Sequence, residues 1–319
     1  MMIPQSEKMN KKAVILLLVL LVAGCTSTRN RTSGGEENYR TGTQGLYMNF
    51  VPYSPPDRLF DDENLRVRIE LFNRGAEDLA GSNNRLYLSG FDTSIITGIP
   101  TSGMQIPDIE GKKMYSPEGG FDNIEFSGYV RSLKEKNINV YQPVILLTAC
   151  YKYSTIADPS VCIDSDPFGV TTQQRVCNWN SVVSTGSQGA PIAVTSVQVE
   201  PQPGKSRFKI YVQNVGGGDV LKDGADILNR CNPYDATGID YKDIDYVHVD
   251  DVSIGENSIM ASCKPLENGY LRLQTSGAGF MICEVDNLVG PAYTTPLRIK
   301  FSYNYRQTLT KQVRIIQSP

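Results

Sequence analysis

Apolar and charged residues alternate along two stretches of the chain. Leu65-Arg66-Val67-Arg68-Ile69-Glu70-Leu71 and Phe208-Lys209-Ile210-Tyr211-Val212 each turn one face to a core and the other to solvent, which predicts half-buried β-strands. Each runs into an Asn-x-Gly turn at the same offset, Asn73-Arg74-Gly75 and Asn214-Val215-Gly216, and then into Asp78-Leu79 and Asp219-Val220, so the two segments align without a gap. A second pair of stretches repeats in the same way. Ile145 to Tyr153 alternates as Leu297 to Tyr305 does, and Val161-Cys162-Ile163 stands where Val313-Arg314-Ile315 stands, so both read as hairpins with one loop length. The intervening apolar stretches are short and bounded by Gly, Pro, Asn or Asp, and a helix is predicted only around Ala225 to Arg230. The expected fold is all-β: two tandem Ig-like antiparallel β-sandwiches over residues 45–170 and 191–319, joined by a polar linker at 171–190. Thr93 to Gly120 reads as an elaborated loop in the first unit, and Leu221 to Asp245 as an insertion in the second.

The first 24 residues follow a different pattern. Lys8, Lys11 and Lys12 precede an unbroken apolar run from Ala13 to Ala23, and polar residues resume directly after Cys25, which predicts a secretion signal over residues 1–24. The run is too short to span a bilayer, which takes about 20 apolar residues. Val22-Ala23-Gly24-Cys25 resembles the lipobox of prokaryotic lipoproteins, and this resemblance implies cleavage before Cys25 and a diacylglycerol on its thiol. Two acyl chains hold a protein stably at a membrane, where one chain binds marginally. Residues 25–44, rich in Gly, Ser and Thr, then read as a flexible lipidated tether, with a glycosylation sequon at Asn30-Arg31-Thr32.

The strand leading into Asn-x-Gly resembles the cell-adhesion-related (CARDB-type) Ig-like domains of prokaryotic surface proteins, in both units. That resemblance implies a sandwich outside the cell, serving as an adhesin, a docking module or a spacer.

Removing Glu7, Lys8, Lys11 and Lys12 with the signal leaves 28 basic and 33 acidic residues, a net charge of −5. A mildly acidic chain without a basic run argues against a nucleic-acid partner. Nucleotides are equally unexpected, since Gly216-Gly217-Gly218 follows a strand and opens no helix to cradle a phosphate.

With Cys25 assigned to lipid, six cysteines remain, an even number that implies disulfides in an exported chain. In a hairpin with Tyr151 and Tyr153 facing the core, Cys150 and Cys162 both face outward and sit opposite each other, which predicts a Cys150–Cys162 bridge. Cys263–Cys283 then follows by proximity and Cys177–Cys231 by elimination. Zinc is disfavoured, because no Cys-x-x-Cys occurs and the lone histidine, His248, lies in an alternating strand.

That histidine also limits nucleophilic catalysis, since no Gly-x-Ser-x-Gly elbow accompanies it. Carboxylates are a different matter, because a glycosidase needs only two of them at the right separation. Asp243, Asp245, Asp250 and Asp251 cluster near Tyr241 and Tyr246, and with Asp223 and Asp226 they form a candidate calcium site that lacks any calcium-loop spacing. No cofactor is otherwise expected, and a solvated acidic face is the favoured reading. Trp179, Tyr47, Tyr53, Tyr234 and Tyr241 are candidates for stacking on sugars. The sequence therefore suggests a membrane-anchored cell-surface lipoprotein, not an enzyme, acting as a binding, adhesion or spacer module toward an envelope protein or glycan. The alternatives are a carboxylate-based envelope carbohydrate hydrolase and a subunit of a larger envelope assembly.

Overall fold

The two Tyr-x-Tyr strands, one from each repeat, pair with each other along the middle of the molecule. In the computed structural model, which describes residues 39–169, 175–179 and 182–319, Val144–Ala157 runs antiparallel to Tyr293–Gln312. Lys152 pairs with Asn304, Tyr151 with Tyr305 and Tyr153 with Tyr303. The register then continues unbroken at both ends, where Ser160–Ile163 pairs with Tyr293–Pro296 and Val140–Tyr141 with Ile315–Ile316, each pair of residue numbers summing to 456. The result is an antiparallel ribbon roughly 75 Å long by strand rise. Its local two-fold axis passes between Lys152 and Asn304, which occupy the same place in the two repeats.

This pairing corrects the hairpin expected from the sequence. Asp158-Pro159 does not turn the chain back; the Pro159 carbonyl accepts a hydrogen bond from Leu297 N at 2.8 Å, and the strand carries on in the same direction. Cys150 and Cys162 thus lie far apart along one ribbon strand and are not bridged to each other. All six cysteines do form disulfides: Cys150–Cys231, Cys162–Cys177 and Cys263–Cys283, with Cα separations of 6.3, 5.8 and 4.0 Å. Only the last pairing is the expected one.

The ribbon is the centre of an antiparallel nine-stranded sheet that both repeats share. On one face each repeat lays its own four-stranded sheet, made of Leu46–Phe50, Asn64–Asn73, Phe121–Val130 and Ile96–Thr97 in the first, and of Val182–Ser184, Ile192–Gln202, Lys205–Asn214 and Ala278–Val285 in the second. The fold is therefore all-β, with sandwich packing in both repeats as the alternation predicts. The shared sheet is what the sequence does not show. A single hydrophobic core runs through both repeats, from Leu65, Val67, Ile69 and Leu71 to Phe208, Ile210 and Val212. The signal segment, Cys25, Asn30 and most of the tether lie outside the described residues, as do residue 170 and residues 171–174 and 180–181 of the expected linker.

The Asn-x-Gly motif is explained by the Tyr-x-Tyr motif. Tyr153 Oη shares its one proton between the Glu77 carbonyl at 3.1 Å and Asn73 Oδ1 at 3.3 Å, while Asn73 Oδ1 also accepts from Gly75 N at 3.1 Å. In the second repeat Tyr305 Oη donates to Asn214 Oδ1 at 3.0 Å and accepts from Gly218 N at 2.7 Å. Each turn is thus clamped by the second tyrosine of its own repeat. The first tyrosine of each pair holds the opening strand, Tyr151 Oη accepting from Leu46 N and Tyr303 Oη from Ile192 N. All four rings are buried around the two-fold axis, with cross-strand centroids at 5.9 and 6.5 Å. Burial pushes their hydroxyls up, Tyr305 to about 12, so they act as neutral hydrogen-bonding groups.

Candidate functional site

The second face of the central sheet, behind the tyrosines, is partly covered by the insertion foreseen at Leu221 to Asp245. Its base is closed by Lys222 N to the Asp243 carbonyl at 2.8 Å and Asp245 N to the Val220 carbonyl at 2.9 Å. Within it, the single α-helix among the described residues, α1 (Ala225–Arg230), buries Ile227 and Leu228 against Tyr87, Cys150 and Leu221. Gly224 precedes this helix at φ +137° and provides no side-chain cap. Buried Asn304 secures the helix start instead, donating from Nδ2 to the carbonyls of Lys222 at 2.9 Å and Gly224 at 2.8 Å. The Cys150–Cys231 bridge fastens the far end of the helix to the first repeat's ribbon strand. Tyr234, proposed for sugar stacking, serves the same fastening, because its hydroxyl donates to the Leu88 carbonyl at 2.7 Å.

Beside the insertion, alternate residues of neighbouring strands put a charged and aromatic group on one face. Tyr246 and His248 of the strand Tyr246–Ile254 pair with Arg272 and Tyr270, and His248 also pairs with Ser302 on its other side. Lys222 Nζ lies 4.5 Å from the Tyr246 ring centre and 5.6 Å from that of Tyr270. The Arg272 guanidinium stands 5.7 Å from the Tyr246 ring, and His248 meets the Tyr270 ring edge-on at 5.0 Å. Tyr270 Oη donates to Asp223 Oδ1 at 2.5 Å, and burial together with this bond pushes the Tyr270 hydroxyl well above its ordinary range.

The expected acidic cluster is divided among separate partners. Asp243 is held by Arg230 Nη2 at 2.7 Å and Lys222 Nζ at 3.6 Å, Asp250 by His248 and Ser302, and Asp251 by Ser258 Oγ at 2.6 Å. Among the described residues no three His, Cys, Asp or Glu side chains converge as a metal site would need. His248, Asp250 and Ser302 do meet, but the carboxylate is in the middle: Asp250 Oδ1 lies 2.7 Å from His248 Nδ1 and 2.7 Å from Ser302 Oγ. A serine activated as a nucleophile bonds to the imidazole, which is the reverse order. The remaining stacking candidates are dispersed. The Tyr47 ring is covered by the Arg74 guanidinium at 3.6 Å, Trp179 is half-buried, and Tyr53 and Tyr241 are exposed.

Asp245 differs from its neighbours. It sits at φ +66°, and burial, then the nearby Asp219 charge, raise its pKa against the smaller pull of Arg272. A carboxyl whose folded pKa exceeds its unfolded one contributes fully when protonated, and that contribution is lost as pH rises through the folded value. Ionised Asp245 is thus a net cost at neutral pH. Asp245→Asn, which also tolerates left-handed backbone, is expected to raise the melting temperature at pH 7 by about 2 °C and to leave it unchanged at pH 3, as read by calorimetry.

Sequence reasoning missed Lys222, Tyr270, Arg272, Ser302 and Asn304 as members of this face. The alternation Tyr246-x-His248-x-Asp250 carried half of the signal; the other half is strand pairing. Compared with known protein families and with characterised proteins, the chain matches none. Its three disulfides indicate an oxidising, extracytoplasmic environment.

Proposed function

We propose that this is a lipid-anchored envelope protein whose two fused repeats form a rigid binding module, with the partly exposed Lys222, His248 and Tyr270, packed over buried Tyr246, as its ligand surface. The observation that carries the reading is how the polar groups of that face are tied. Tyr270 is fixed by Asp223, and His248 and Ser302 by Asp250, so rings and polar edges are preorganised for contact. The anchor rests on Val22-Ala23-Gly24-Cys25 and on a disulfide set suited to an exported chain. The CARDB-type resemblance points to the same setting, and an envelope glycan is the ligand class that fits a tyrosine-rich, charge-balanced face.

Two measurements test this. Protein extracted with detergent from its native membrane is expected to have a mass starting at Cys25 plus a diacylglycerol, rising by six hydrogens on reduction, two for each bridge. A mass without lipid would end the anchor reading. The same protein is expected to be retained on envelope polysaccharide without turning it over, with retention lost in Tyr270→Ala. Turnover that disappears in Asp243→Asn or Asp250→Asn would assign the face to a hydrolase instead.

A further inference from the structure

The two repeats treat one equivalent sheet edge differently. In the second repeat, Ala278–Val285 pairs with Lys205–Asn214 on one side, and the chain covers its other side with its own residues. Lys264 and Ile282 exchange both backbone hydrogen bonds, at 2.8 and 2.7 Å, and Gln274 N donates to the Ala278 carbonyl at 2.8 Å. Ser262 Oγ accepts from Glu284 N and donates to the Glu284 carbonyl, both at 2.8 Å. The Cys263–Cys283 bridge locks this cover in place.

The repeat alignment identifies the same edge in the first unit. Val67 corresponds to Phe208, and their partners across the sheet are Phe126 and Cys283, so Glu125 stands for Ile282 and Ser127 for Glu284. Along Phe121–Val130 the even-numbered amides turn toward Asn64–Asn73, as Val130 N does in donating to the Glu63 carbonyl. Odd-numbered residues face the other way, as Arg131 N does in donating to the Ile95 carbonyl. Phe121, Asn123, Glu125 and Ser127 therefore aim their backbone groups outward. Among the described residues, only the Asn123 amide there has a hydrogen-bond partner, Asp122 Oδ1 at 2.6 Å; Ile96–Thr97 pairs with the edge at Tyr129 and Val130, and Gly98 and Ile99 lie beside Gly128 and the Ser127 carbonyl without bonding to it.

We propose that Phe121–Ser127 is a docking edge for an extended peptide segment of a partner protein, added antiparallel as Lys264 is opposite Ile282 in the second repeat. A bare strand edge is a template for another strand, and the covered copy of this edge in the same molecule shows what it accepts. The incoming segment needs an apolar residue at its centre, because Cys263 turns inward beside Cys283 and its counterpart position lies beside Phe126, 1% exposed. The edge belongs to an outer sheet, apart from the polar face of the central sheet, and the inference is independent of the function proposed above.

Amide hydrogen exchange on the full chain in detergent tests it, with a synthetic peptide copying residues 257–267 and carrying Cys263→Ala as the probe. In the free protein, the amides of Phe121, Glu125 and Ser127 are expected to exchange about a hundredfold faster than those of Ile282 and Glu284. The peptide is expected to slow them, and N-methylation of its Lys264 nitrogen to weaken binding about tenfold, the worth of one backbone hydrogen bond. No slowing by the peptide, or equal binding of the N-methylated form, would overturn the proposal. So would protection already present in dilute free protein, which would assign the edge to this chain's own N-terminal segment, or protection rising with protein concentration alone, which would assign it to a second copy.

Discussion

Replacing Gly75 with alanine is expected to destabilise the protein by about 4 kcal/mol. A methyl group there would fall on the Tyr153 hydroxyl and lie 2.6 Å from the Gly189 carbonyl oxygen and 2.8 Å from that of Gln44. Those two carbonyls are backbone, so the clash cannot be relieved by a rotamer change; either the turn moves or Tyr153 gives up its bonds to Asn73 and Glu77. Buried polar groups left unpaired add to the steric cost. Adding Tyr153→Phe to Gly75→Ala removes the hydroxyl but leaves both carbonyls in place, so the double variant should recover only part of the loss. Gly186→Ala, where a methyl meets nothing within 4 Å, should be neutral in the same denaturant titration. A Gly75→Ala protein as stable as the parent would show that the clamp does not hold the turn.

Breaking the Cys150–Cys231 bridge should have an effect of similar size. Its half-cystines are 81 residues apart in sequence, and a cross-link over that span contributes about 4.5 kcal/mol in the chain-entropy account, or roughly 8 °C in melting temperature. The paired variant Cys150→Ser/Cys231→Ser should also release the insertion selectively. Amides of residues 225–231 should then exchange faster, while those of Asn64–Asn73 change little. Opening Cys162–Cys177, which closes a separation of only 15, should cost less. If the two pairs of substitutions cost the same, the staple across the repeats has no special weight.

How much of this was visible in the chain follows from which interactions are local. Alternation in Leu65–Leu71 and Phe208–Val212 reports burial of one strand face, a property of each strand alone, and both strands are where that pattern puts them. The repeat was visible for the same reason, since Asn73-x-Gly75 and Asn214-x-Gly216 are turn chemistry. Pairing is another matter. Ile145–Tyr153 alternates equally well beside its own downstream strand or beside its counterpart from the other repeat, and nothing in the residues between distinguishes these partners. Assuming the nearer one produced the hairpin and, with it, the Cys150–Cys162 bridge. The acidic residues near Tyr246 are adjacent in sequence, but each is taken up by partners of its own. Asp243 is claimed by Arg230 and Lys222 inside the insertion, whereas Asp250 and Asp251 are claimed by His248, Ser302 and Ser258 on the strands beside it.

The ribbon's register has a further consequence. Tyr151 opposite Tyr305 and Tyr153 opposite Tyr303 is the pairing of a closed isologous dimer, in which each subunit offers one and the same strand to its twin. Here the twins are one polypeptide, so an encounter that would be second order between separate subunits becomes a first-order closure at an effective concentration in the millimolar range. Assembly of this interface is thereby insulated from dilution, and the two halves are free to diverge: one gained the insertion over the back of the sheet, while the other kept an uncovered edge.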